Sequence, residues 1–262
     1  MSNLSTLIAN RLIRLTGNIF KILSYPFHYL MPNKRFTIPE RSAAKVRLSG
    51  SRRIPREIWQ TNFTNQVALP VYLNYLFNRL LSLNCNYNYV STEARGEYLK
   101  KHASEEVYDA YSRLTNGAAQ ADLWRLFVLN HKGGVYMDID ATLVWPLDKL
   151  LGNQHESLYI KIGKNTRFTN YFLASSPNNL DLERAIDQVV YNVNHYEPSM
   201  GVYHCTGPTV LHNLLIDRKD INSKDRKYVC IQGTFTNEHF QYIDKPRGKW
   251  THINLNELVK KK

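Results

Sequence analysis

The chain has 262 residues, of which 43% are hydrophobic and 21% charged, enough for one substantial domain with a full core and a short appendage. Its formal charge is +12, but eleven Lys and Arg residues between Met1 and Arg56 face a single acid, Glu40, so +10 of the total sits in the first 56 residues. A nucleic-acid binder would spread basic charge over its folded surface, so nucleic acid is not an expected partner. Cys85, Cys205 and Cys230 show neither a paired framework nor metal-ligand spacing, which points to buried free thiols and a reducing compartment.

Residues Leu4 to Met31 read as one amphipathic helix. Leu4, Leu7, Ile8, Leu12, Leu15, Ile19, Ile22 and Leu23 fall close to one stripe, with Asn10, Arg14, Asn18 and Lys21 largely opposite. Arg11, Arg14 and Lys21 interrupt the apolar run too often for a membrane span, and charges inside it do not suit a signal peptide. A helix lying in the interface of an anionic membrane accounts for stripe and charge together. A helix packed on the domain or on a partner subunit is the alternative. Pro26, Pro32 and Pro39 punctuate the arm, whose basic linker runs to about Arg53. The expected division is therefore a basic membrane-associating arm over 1–53 and a folded domain over 54–262.

Within the domain, Ile54 to Thr61 is a short strand, Leu69 to Leu83 a helix and Tyr87 to Thr92 a second strand. Glu93 to His102 and Ser104 to Leu114 are helical, the second opened by Ser104 as N-cap. A further helix begins near Gly117 and is stopped by Gly133 and Gly134. Asp122 and Arg125 lie three apart on it and share a side. Val135 to Asp140 then alternates with period two, which puts Asp138 and Asp140 on the same side at the strand's end. Ser157 to Ile162, Thr169 to Ser175 and Tyr228 to Gln232 are later strands, and Leu180 to Tyr196 and Thr209 to Leu215 later helices. The alternation predicts an α/β domain on a largely parallel sheet.

Ligands of such sheets bind beyond the carboxyl ends of the strands. Two carboxylates placed there suit a hard divalent cation that carries phosphates. A D-x-D triplet alone is weak, and its plain alternative is a solvated turn. Asp122 and Arg125 are equally readable as a simple i,i+3 ion pair, and Trp59 as a core aromatic.

The runs Ala121-Asp122-Leu123-Trp124-Arg125 and Gly133-Gly134-Val135-Tyr136-Met137-Asp138-Ile139-Asp140 resemble the signature of the DXD-containing sugar-binding-region glycosyltransferases. That family includes yeast-type α-mannosyltransferases and bacterial capsule and lipopolysaccharide transferases. Ile54 to Thr61 resembles its first strand, with Trp59 where a His is common, and Asn170 to Pro177 and Thr206-Gly207-Pro208 match later blocks. The resemblance implies a GT-A-like, Rossmann-type mixed sheet flanked by helices, a nucleotide-sugar donor, Mn²⁺ or Mg²⁺, and retention of anomeric configuration. It implies Asp138 and Asp140 as the catalytic pair, with Asp140 on the metal and Asp138 toward the donor. Asp122 and Arg125 would hold the donor sugar, and Trp59 and Gln60 the base and ribose; Asn170 faces the donor or the acceptor sugar, or is an ordinary strand-end amide. A third metal ligand is sought in His252, with His239 as the other option.

The expected function is transfer of a sugar to a glycan or glycolipid acceptor in polysaccharide, capsule or lipopolysaccharide synthesis, at the cytoplasmic face of an inner membrane. A metal-dependent nucleotidyltransferase or phosphohydrolase using the same aspartates is one alternative. A non-enzymatic basic membrane adaptor is the other.

Overall fold

The computed structural model describes residues 3–47, 50–246 and 248–261. A seven-stranded sheet runs through it in the order Ser223–Asp225, Ser157–Ile162, Arg167–Ser175, Gly134–Met137, Glu57–Thr61, Asn86–Val90, Arg41–Ser42. Glu57–Thr61 is parallel to both Asn86–Val90 and Gly134–Met137. Beyond Gly134–Met137 the direction reverses, because Ser157–Ile162 and Arg167–Ser175 form an antiparallel pair that meets it antiparallel. The sheet is therefore mixed, as the family resemblance implies, and not largely parallel. A short connection between strands returns the chain antiparallel, whereas parallel neighbours need a crossover.

Helices cover both faces, so the strands alternate between two cores. Tyr136 and Leu173 pack with Trp124, Leu182 and Val189 from the helices Gly117–Lys132 and Leu180–Asn194. Val135, Met137, Phe172 and Ala174 point the other way, toward Val71 and Tyr75 of the helix Leu69–Leu80. Burial on both faces explains why Gly134–Met137 is apolar and buried at every position.

The strand expected from Ile54 begins only at Glu57, past Pro55, which has no N–H for a ladder. Ser104 accepts from Val107 N, the cap expected of it. Asn116 caps the central helix Gly117–Lys132 by accepting from Ala118 N and Ala119 N, and Gly133 ends it at φ 67°. Gly134 is needed for a different reason: a Cβ there would lie 2.4 Å from Glu57 O of the paired strand. All three cysteines are free and buried.

The N-terminal helix spans Asn3–Leu30 and lies against the domain. Its inward face is Thr6, Asn10, Ile13, Gly17, Ser24 and His28. Asn10 Nδ2 donates to Lys227 O (2.7 Å), Lys21 Nζ to Gly233 O (2.8 Å), and Leu69 N to His28 Nε2 (3.1 Å). The apolar stripe faces outward. Among the described residues no helix is long and apolar enough to cross a membrane.

Candidate active site

The strand after the central helix ends at Met137, one residue before the aspartates. Asp138-Ile139-Asp140 is a turn closed by Ala141 N donating to Asp138 O (3.0 Å). The two carboxylates are therefore brought together by a turn and not by strand alternation. Its backbone is held on every side. Gln60 Nε2 donates to Asp138 O (3.0 Å), Asn74 Nδ2 to Ile139 O (2.8 Å), and Gly233 N to Asp140 O (3.1 Å).

Arg125 joins this turn to the central helix. Its Nη2 pairs with Asp122 Oδ1 at 3.0 Å and Asp138 Oδ1 at 3.3 Å, while Nη1 donates to Asn170 O at 2.9 Å. The guanidinium lies over the Tyr136 ring, 4.4 Å from its centroid, and the Tyr136 hydroxyl donates to Asp138 Oδ1 (2.7 Å). Asp122 also accepts from Asn170 Nδ2 (3.0 Å) and Thr206 Oγ1 (3.1 Å). Burial pushes its carboxyl up to about 6, against the opposing pull of Arg125. Burial works against the Arg125 charge as well, but Tyr136, Asp138, Asp122 and Asp140 together outweigh it and raise its pKa.

Asp140 differs from its neighbours. Gln232 Nε2 reaches its Oδ1 at 3.3 Å and Gln241 bonds to it too, but no salt bridge is formed to it among the described residues. Burial first, and then the Asp138 charge, push its carboxyl well above the ordinary range. A half-buried carboxylate beside a second one, with only amide donors around it, is a place where a cation relieves the repulsion. Asp138 and Asp140 offer oxygen donors, the chemistry of Mg²⁺ or Mn²⁺. The described residues contain no cluster of three His, Cys, Asp or Glu. Such ions tolerate this, since Mg²⁺ keeps waters and substrate phosphates among its ligands.

These groups open into a cleft of about 1040 Å³ lined by Asp122, Arg125, Asp138, Asp140 and Asn170. That volume is at the upper end of small-molecule sites, which run to about 1,000 Å³. Four of the expected donor residues thus converge.

Trp59 and Gln60 do not line the cleft. Trp59 donates to Gly133 O (3.0 Å) and meets Trp124 edge-on, and Gln60 is buried between Tyr87 and the Asp138 carbonyl. Alternation turns their side chains into the two cores, so the next residues, Thr61, Asn62 and Phe63, supply the wall. His252 and His239 are also absent from the lining; both are exposed, and His239 stacks on Tyr25 of the N-terminal helix.

Gln232, Gly233, Gln241 and the buried Arg95 belong to the site without any sequence pattern to mark them. The strand Cys230–Gln232 reaches Asp140 by pairing antiparallel with Ala141–Leu143, a long-range contact invisible to local reading.

Residues 70–157 match the family model described as a glycosyltransferase sugar-binding region containing DXD motif. The chain is 30% identical over 135 residues to an initiation-specific alpha-1,6-mannosyltransferase of Candida albicans, covering 47% of this chain and 35% of the relative. It is 27% identical over 157 residues to a mannosyl phosphorylinositol ceramide synthase of Saccharomyces cerevisiae, covering 59% and 40%. The chain spans between a third and about half of the length of the curated relatives it matches. Among solved structures, the PaToxG glycosyltransferase aligns over 79% of each chain at 18% identity and a TM-score of 0.49. The segment that holds Asp122, Arg125, Asp138 and Asp140 thus lies within the stretch of this chain, residues 70–157, that is similar to the glycosyltransferase sugar-binding region containing the DXD motif.

Proposed function

We propose that this chain is a retaining glycosyltransferase that moves one sugar from a nucleotide-sugar donor to a glycan or glycolipid acceptor, with Mn²⁺ or Mg²⁺ held at Asp138 and Asp140. One observation carries the reading. A single buried guanidinium ties Asp122 of the central helix to Asp138 of the turn inside an open cleft, and Asp140 beside them forms no salt bridge among the described residues.

A carboxylate has about four lone-pair sites. Asp122 spends three on Arg125, Asn170 and Thr206, which fixes its orientation and leaves one for a donor-sugar hydroxyl. Arg125 holds Asp138 in place. Asp138 and Asp140 would hold the cation, which when bound would supply positive charge against the negative charge developing on the departing diphosphate. The bond from the sugar's anomeric carbon to the diphosphate oxygen breaks, and its electron pair leaves with the nucleoside diphosphate. The acceptor hydroxyl oxygen bonds the same carbon on the same face, and its proton passes to the departing oxygen. No protein base is required.

Mannose is the sugar to examine first, because the relatives are named for mannosyl transfer. The reaction belongs to polysaccharide, capsule or lipopolysaccharide synthesis at the cytoplasmic face of a membrane. The basic N-terminal arm and three free thiols support that setting.

The test is nucleoside diphosphate release from a panel of UDP- and GDP-sugars with Mn²⁺ and an oligosaccharide acceptor. EDTA is expected to abolish turnover and added Mn²⁺ to restore it. Asp140→Asn is expected to lower it by about 10²–10³-fold or more, the scale of losing an electrostatic stabiliser. Full turnover in that variant would sink the reading. Release of inorganic phosphate would instead assign a phosphohydrolase.

A further inference from the structure

The N-terminal helix is packed inside out. Leu4, Ile8, Leu12, Leu15, Ile19 and Ile22 are each 49–67% exposed, and their spacing keeps them within an arc of about 100°. The buried face on the opposite side consists of small or polar residues apart from Ile13. An amphipathic helix that belongs only to its own domain buries the apolar face and wets the polar one. Here the polar face is specifically occupied. Asn10 and Lys21 donate to Lys227 O and Gly233 O, and a Cβ on Gly17 would come within 2.5 Å of Thr234 Cγ2. The contact with the domain is complete without the apolar ridge.

We propose that this ridge is a docking face for an anionic lipid bilayer, on which the protein sits without unpacking the helix from the domain. The proposal names the partner for the membrane setting given above, but the docking does not depend on the reaction. The helix has 28 residues, about 42 Å at 1.5 Å each, too long to be a local contact and too interrupted by charge to span. It suits a helix lying in the plane of the interface.

Charge selects the lipid. Arg11 and Arg14 are exposed on one flank of the ridge, and Lys34, Arg41, Lys45 and Arg47 follow it with Glu40 as the sole acid. Basic groups beside an inserted apolar ridge are attracted to anionic headgroups. The same charges disfavour a second copy of this chain, since two faces of like sign would be pressed together. Tyr29 and Leu30 at the helix end are among the most exposed apolar side chains. The helix Leu69–Leu80, against which the N-terminal helix packs, exposes Leu76 and Leu80. The docking helix is also tied to the site, because Gly233 accepts from Lys21 and donates to Asp140 O.

The experiment is co-sedimentation of the full chain with phosphatidylcholine vesicles that carry about 30% phosphatidylglycerol. Binding is expected, weakening as salt is raised. Leu12→Asp with Leu15→Asp is expected to cut partition by at least about tenfold, because binding scales with inserted apolar area, while Tm stays at the wild-type value. Arg11→Glu with Lys45→Glu is expected to weaken binding and flatten its salt dependence. Absence of wild-type binding, or wild-type partition by the Leu12/Leu15 variant, overturns the proposal. So does a dimer in light scattering that needs the ridge while vesicles are ignored. Transfer to a soluble acceptor is read on the same samples and is expected to be unchanged in both variants. If the wild type binds vesicles yet transfers nothing, the reaction is rejected and the docking stands.

Discussion

The Arg125 side chain sits among Asp122, Asp138, the Asn170 carbonyl and the Tyr136 ring, with all four contacts at or under 4.4 Å. On the surface an i,i+3 pair is worth a few tenths of a kcal/mol. This one is buried, where losing one partner leaves an uncompensated charge. Arg125→Ala is therefore expected to destabilise the fold by about 3–5 kcal/mol, read as a shift of the urea midpoint. Arg125→Lys retains the charge but lacks the planar fork that reaches two carboxylates and a carbonyl at once, so it is expected to fall between. A shift below about 1 kcal/mol for the alanine variant, the range of exposed pairs, would show that Arg125 is not holding the cluster. The thiols offer a simpler check. Burial pushes Cys85 up to about 11 and Cys205 to about 12, and raises Cys230 well above the ordinary thiol range. None of them is expected to react with a thiol reagent at pH 8 until the protein is unfolded, when all three should.

At the scale of elements, the aspartate turn depends on the helix Leu69–Leu80, which touches no carboxylate. Asn74 donates to Ile139 O and Ala141 O and accepts from Thr142 Oγ1. Asn78, one turn later, donates to Ala141 O and accepts from Leu143 N. Leucine at either position leaves buried backbone groups unpaired, at about 1–3 kcal/mol each. Only Asn74 reaches the carbonyl between the two aspartates. Asn74→Leu is thus expected to depress sugar transfer more than Asn78→Leu at comparable loss of stability. Equal losses of activity would mean that the turn does not need that bond. Gly134 shows the same dependence of the turn on its surroundings, since its lack of a side chain lets the aspartate strand approach Glu57.

For the molecule as a whole, the composition break near Ile54 does not mark a separable arm. Residues before it seat Gly17 against Thr234, pair Arg35 with Asp244 at 2.6 Å and Arg52 with Asp148 at 2.6 Å, and bury Ile38. The contacts to Thr234 and Asp244, with the bond from Asn10 to Lys227 O, support the segment from Lys227 to Asp244 that forms the Asp140 side of the cleft. Removal of residues 1–53 is expected to lower Tm and to impair transfer even to a soluble acceptor, in contrast to the ridge variants, which leave the packing intact. A truncated protein with wild-type Tm and turnover would show that the arm is an appendage after all.

Local pattern in the chain was enough to locate the central helix, its glycine stop, and the pairing of Asp122 and Arg125 with Asp138 and Asp140, because these features lie within 24 consecutive residues. Periodicity also found the N-terminal helix and its stripe. What it left open was which side of that helix the domain takes, since a stripe is equally good for a core or a bilayer. The decision came from Asn10, Gly17 and Lys21, whose partners are more than two hundred residues away. The same reason hid Gln232 and Gln241 beside Asp140, and hid that the side chains of Trp59 and Gln60 turn into the cores. Sequence determines local periodicity, caps and short spacings; long-range pairing decides which face is covered, and so which residues meet a ligand.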